Sequence, residues 1–188
     1  KNKISQRGLL ELNERLILCN RLKNLTLYLS IDEETQKKKL DQDFESKNTS
    51  NLEQLTLVIK SLFFDIRIFN LGSQLAKHTQ LISLILELNY ANLQNEGVSS
   101  LGQGIAKCQN LQIIKLYLRV NSIFDEGIAD LAKGFAECQQ ISNFLLDLRY
   151  NSLRDQAISD LCIGLSKLLN LKNLKMYLRQ IFILLIKK

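Results

Sequence analysis

The side chains with the most chemistry to offer are one histidine, His78, and four cysteines, Cys19, Cys108, Cys138 and Cys162. Imidazole and thiolate together are a zinc ligand set, and they are also a nucleophile–base pair. The spacing argues against both uses. No CxxC pair is present, and Cys19, His78, Cys108 and Cys138 stand at one recurring place in a sequence repeat. A ladder of this kind sits on successive helices. Packed helices lie about 8–10 Å apart, whereas zinc draws its ligands to about 2.0–2.3 Å. The ladder is therefore expected to be buried at helix C-termini, with reduced, inert thiols. Cys162 falls elsewhere on a helix and supplies no fourth ligand. Reduced core cysteines favour an intracellular compartment.

Other reactive patterns are equally thin. The chain has no P-loop, no dinucleotide-binding glycine pattern and no nucleophile elbow. Gly102-Gln-Gly104 lies inside a helical stretch and runs into Ile-Ala-Lys, which is no phosphate loop. Glu96, Asp125, Glu126 and Asp155 fall where helices begin, and capping explains acidic residues there. Asn24-Leu-Thr26 and Asn48-Thr-Ser50 match a glycosylation pattern too short to carry weight. The expectation is a protein that is not an enzyme and uses no cofactor or metal.

The elements behind these positions come from internal repetition. The segments beginning at Leu81, Leu111 and Ile141 align without gaps at a period of 30 residues. Further units open at Leu22, Leu52 and Leu171, and residues 1–21 form a partial unit of the same single domain, 1–188. Each unit starts with apolar residues at every second place, as in Leu84/Leu86/Leu88, Ile114/Leu116/Leu118 and Phe144/Leu146/Leu148. That alternation specifies a strand with one buried face. The second half of each unit spaces Val98/Leu101/Ile105, Ile128/Leu131/Phe135 and Ile158/Leu161/Leu165 for one face of a helix. Asn95, Asp125 and Asp155 stand where they could cap those helices, with Gly97 and Gly127 at the turn. One strand and one helix cannot close a core, so the units must stack, strands into a parallel sheet and helices outside.

The L-x-x-L-x-L-x-L strand followed by a turn and a helix resembles the ribonuclease-inhibitor-like class of leucine-rich repeats. It is similar to the repeat proteins abundant in ciliated protozoa, whose composition is also rich in Asn, Gln, Lys and Ile. The resemblance covers Gly8 to Leu178 and is best from Leu81 to Asn170. It implies an α/β solenoid, a horseshoe arc with a concave parallel sheet and convex helices. It also implies that Asn121 and Asn151 bond the turn backbone, with Ala91 at the third equivalent place.

Two stretches depart from the pattern. Residues 30–51 span a unit's length without its helical leucines and read as a polar loop with at most a short helix. The unit from Leu52 is one residue short and carries LFFDIRIF where a polar turn belongs. No signal-peptide pattern occurs, and the longest apolar run, Ile181 to Ile186, is too short to span a membrane. That run follows the last strand without a polar cap.

The informative surface is the set of strand residues between the leucines, which must face the other way. It includes Lys60, Glu87, Lys115, Tyr117, Arg119, Asp147, Arg149, Lys175, Tyr177 and Arg179. Strands lie about 4.8 Å apart, so Lys60, Arg119, Arg149 and Arg179 would form a basic row. Tyr117 and Tyr177 flank Asp147, which is expected to pair with Arg119 or Arg149. Tyr and Arg are enriched at binding hot spots. With a net charge of +6, the row suits an acidic protein surface. Nucleic acid is the lesser alternative because Glu87 and Asp147 interrupt the patch, and a membrane is not expected. The expected function is a non-catalytic interaction or scaffold module in the cytoplasm. Its alternative is a structural subunit of a ciliary, cytoskeletal or ribonucleoprotein assembly. The oligomeric state is not legible in the sequence.

Overall fold

The computed structural model describes residues 21–31, 51–61 and 71–178. They form an α/β arrangement of six strands and four helices. The strands are β1 (Asn24–Ile31), β2 (Gln54–Ser61), β3 (Ser83–Glu87), β4 (Ile113–Tyr117), β5 (Asn143–Asp147) and β6 (Asn173–Tyr177). The helices are α1 (Leu71–Leu75), α2 (Gln94–Ile105), α3 (Asp125–Ala136) and α4 (Asp155–Ser166). All six strands make one parallel sheet in sequence order. Each helix packs on the next, α1 on α2, α2 on α3 and α3 on α4.

The register reproduces the sequence period. Asn24 pairs with Gln54, Ser83 with Ile113, Ile113 with Asn143 and Asn143 with Asn173, each 30 residues on. Gln54 pairs with Ser83, 29 residues on, so the short unit keeps its strand in register. Register must hold, because a one-residue slip would turn every leucine to the other face.

The core lies between sheet and helices, and the alternating strand residues fill it. Leu84, Leu86, Leu88, Ile114, Leu116, Leu118 and Leu146 are fully buried, as are Val98, Leu101, Ile105, Ile128, Leu131 and Phe135 from the helices. The Phe135 ring meets Phe144 edge-on at 4.8 Å, fastening α3 to β5. The pattern weakens at both ends. Leu25 and Leu27 are only partly buried, Ile158 is half-buried, and Leu174 is 48% exposed because no described element follows β6 to cover it.

Two expectations change here. Asn95 and Asp125 do not cap their own helices; no side chain caps α2, α3 or α4. Each oxygen instead accepts a bond from the following unit, Asn95 Oδ1 from the Phe124 N–H at 2.8 Å and Asp125 Oδ1 from the Arg154 N–H at 2.8 Å. The two donors are the residues just before the next helix, so the oxygens splice units together. Gly127 makes room for this, since a Cβ there would lie 2.8 Å from Asn95 Oδ1. Second, Cys162 is exposed, unlike the buried Cys108 and Cys138, because α4 has no described helix beyond it.

The loop expected over 30–51 lies outside the described residues, except that Ser30 and Ile31 complete β1. Cys19, the apolar stretch 62–69 and the run Ile181 to Ile186 also lie outside them. No helix of the described residues is long and apolar enough to cross a membrane.

Candidate functional site

The strand residues opposite the core line an open sheet face. Ile85, Glu87, Lys115, Tyr117, Leu145 and Tyr177 are all half-buried there, and Lys175 is exposed. Glu87 pairs in register with Tyr117, Tyr117 with Asp147, and Asp147 with Tyr177, giving one row across four strands. Val58 lies on the same side but is buried, in contrast to the outward position its alternation suggests. Of the row of cations, Arg119 and Arg149 are described. Lys60 belongs to β2, but its side chain lies outside the described residues, as does Arg179 altogether.

Asp147 is spoken for. Its Oδ1 accepts from Arg149 Nε at 2.9 Å and its Oδ2 from Arg149 Nη2 at 2.6 Å, a side-on bidentate pair. The Arg149 backbone N–H also donates to Oδ1 at 3.1 Å. These bonds push Arg149 above its ordinary pKa and fix its charge. The carboxylate is left 3% exposed while its partner is 38% exposed. As a direct contact for another molecule Asp147 is therefore out of reach, and the ion pair cancels much of the Arg149 charge. Arg149 also lies 5.0 Å from the centroid of Tyr177.

Arg119 is held differently. Its guanidinium carbon lies 4.4 Å from the ring centroid of Tyr150 and 5.6 Å from that of Tyr90. The Arg119 backbone N–H donates to Asn89 Oδ1 at 3.0 Å, which anchors the base of the side chain. Tyr90 and Tyr150 were not among the residues singled out from sequence. They recur 60 residues apart just after Asn89 and Arg149, and that recurrence was the available signal. Both have positive φ, 61° and 58°, as the turn after the strand demands.

Below this corner, an open groove of about 480 Å³ is lined by Lys115, Lys172 and Lys175 with Asn143, Leu145 and Asn173. None of these lysines makes an ion pair among the described residues.

Behind the face, asparagines hold the turns. Asn121 Oδ1 accepts from the N–H groups of Ala91 at 3.0 Å and Leu93 at 3.2 Å, and its Nδ2 donates to the Leu88 carbonyl at 2.8 Å. Asn151 does the same one unit on, for Asn121, Ile123 and Leu118, at 2.9, 3.2 and 2.9 Å. Both are buried, so their bonds replace water that cannot enter.

The histidine–cysteine ladder forms as the repeat requires. His78, Cys108 and Cys138 are buried. Cys108 Sγ donates to the Leu75 carbonyl at 3.3 Å and Cys138 Sγ to the Ile105 carbonyl at 3.2 Å, each the last residue of the preceding helix. Burial pushes the Cys108 thiol up to about 11 and Cys138 up to about 12, with the neighbouring Cys108 adding to the latter. Thiols in that state are hydrogen-bond donors and poor nucleophiles. No group of three or more His, Cys, Asp or Glu that could hold a metal ion occurs among the described residues.

No protein-family model matches the chain, and no curated protein shows significant similarity to it.

Proposed function

We propose that the chain is a leucine-rich-repeat solenoid of the ribonuclease-inhibitor-like class. On this reading it works as a non-catalytic interaction module whose concave sheet face takes up an acidic protein surface. The parallel sheet in strict sequence order, its 30-residue register and the buried turn asparagines support the repeat class. The observation that carries the function is the charge of the open face. Lys115, Lys172, Lys175 and Arg119 lack ionic partners among the described residues, whereas the face's one described ion pair, Asp147 with Arg149, is internal. Unpaired cations beside tyrosines steer and anchor acidic partners.

Crosslinking with mass spectrometry on material from the native source tests this. Crosslinks should map to the open face, and the double reversal Lys115→Glu/Lys175→Glu should release the partner while Lys107→Glu, in the turn just past α2, retains it. Crosslinks confined to the helix side, or a partner retained by the double reversal, would overturn the reading.

A second reading, as a structural subunit of a larger assembly, is favoured by one observation. Ile163 on α4 and Leu169 just after it are 58 and 85% exposed. Exposed large apolar side chains suit a contact with another subunit.

A further inference from the structure

The units from Leu111 and Ile141 place the same side chain in two electrical settings. In the second, Asp147 clasps Arg149 along its Nε edge. In the first, the position two residues before Arg119 is Tyr117, which brings no carboxylate. Arg119 Nε is buried and has no hydrogen-bond partner. The guanidinium makes no ion pair among the described residues and is held by the rings of Tyr90 and Tyr150 instead.

We propose that Arg119 is the receptor for a carboxylate side chain of a partner protein, which docks on it as Asp147 docks on Arg149. This rests on the reading of the open face as a binding surface. The partner is an acidic, extended segment. Arg is always charged and its planar fork matches a carboxylate in two bonds. Stacking between rings limits its rotamers, so less freedom is lost on binding. Because the unpartnered Nε edge is buried, docking in the manner of Asp147 requires the guanidinium to turn and uncover that edge for the arriving carboxylate. Lys115 stands four residues earlier on the same chain, roughly 13 Å away at the rise of a strand. A segment lying along β4 therefore meets an ammonium and then the guanidinium. Glu87 and Asp147, both in register with Tyr117, hold down the local positive field. That setting suits single carboxylates better than a polyphosphate chain.

The test follows the side-chain Nε–H resonances of Arg119 and Arg149 in the full ¹⁵N-labelled chain, assigned through Arg119→Lys and Arg149→Lys. The probes are a Glu/Ser peptide, its Gln/Ser counterpart and an oligothymidylate. The Arg119 signal should shift with the Glu/Ser peptide and stay put with the Gln/Ser one, while Arg149 stays put throughout. Arg119→Lys should weaken the Glu/Ser peptide by roughly tenfold or more. If that variant fails to fold by circular dichroism, Tyr150→Leu is scored in its place with the same expected loss. An Arg119 signal unmoved by the Glu/Ser peptide overturns the proposal, as does a response to oligothymidylate alone. Undiminished peptide affinity in the scored variant overturns it too. Peptide binding that survives Arg119→Lys but is lost in Lys115→Glu/Lys175→Glu refutes the anchor and leaves the face as the binding surface.

Discussion

Asn121 and Asn151 show what a single side chain does when it substitutes for water. Replacing Asn121 with Ala leaves the N–H groups of Ala91 and Leu93 and the carbonyl of Leu88 without their partner. Buried orphans cost about 1–3 kcal/mol each before relaxation, so chemical denaturation should register a loss of about 2–4 kcal/mol. Asn121→Asp should fare little better, because a carboxylate cannot donate to Leu88. The thiols give a second prediction at this scale. At mildly alkaline pH, Cys162 should react with a thiol reagent in the folded protein, while Cys108 and Cys138 should react only on unfolding, as peptide mapping can read. Sequence showed the ladder's common place and its burial. It did not show that each thiol donates to the helix before it, because that bond depends on the stacking distance between units. Nor did it separate Arg119 from Arg149, since both are arginines at one repeat position. What separates them is a neighbour two residues back, Tyr117 in one case and Asp147 in the other.

The helices approach one another through residues without side chains. A Cβ on Gly134 would overlap the Gly102 carbonyl, and one on Gly104 would overlap the Gly72 carbonyl. Ala normally improves a helix over Gly by about 1 kcal/mol. Here the obstacle is backbone, which no rotamer change can clear, and overpacking costs about 1–3 kcal/mol or more. Gly134→Ala should therefore lower the melting temperature, while Gln103→Ala on the exposed side of α2 should leave it unchanged. Strand and helix positions were legible because the two periods, two and 3.6, leave different marks in the sequence. The capping expectation for Asn95 and Asp125 failed for a physical reason. The helices begin at Gln94 and Asp125, so both residues lie inside the first turn and not at the capping position before it, and sequence spacing does not place a helix start to within a residue. The structure gives both oxygens to the next unit.

At the scale of the molecule, pH acts through the ladder. Both thiols have folded pKa values above the ordinary thiol value, so their contribution is complete below about pH 9. As pH rises past that point the unfolded chain loses thiol protons that the folded chain retains. Stability should then fall by about 1.4 kcal/mol per pH unit per thiol until pH reaches about 11 to 12. Denaturation midpoints across that range test it, and Cys108→Ala/Cys138→Ala should flatten the slope. The exposed Ile163 and Leu169 give a prediction about association: Ile163→Glu/Leu169→Glu should reduce any concentration-dependent mass in light scattering without altering the far-ultraviolet spectrum.

The bonds of the buried Asn121 and Asn151 side chains and of the ladder thiols all run from a later unit back to the one before it. The turn at Ala91 is completed by Asn121, the turn at Asn121 by Asn151, and the carbonyls of Leu75 and Ile105 by Cys108 and Cys138. These turns and helix ends are thus finished by the succeeding unit, while Asn89, Asn95 and Asp125 serve N–H groups of the unit after them. On a ribosome, a newly emerged unit would hold open backbone groups until about 30 further residues arrived to close them. Cutting the chain back by one unit should loosen the unit before the cut, seen as faster amide exchange at Ala91 and Leu93 when Asn121 and all that follows is removed. The buried turn of the youngest unit is thereby the last to be closed.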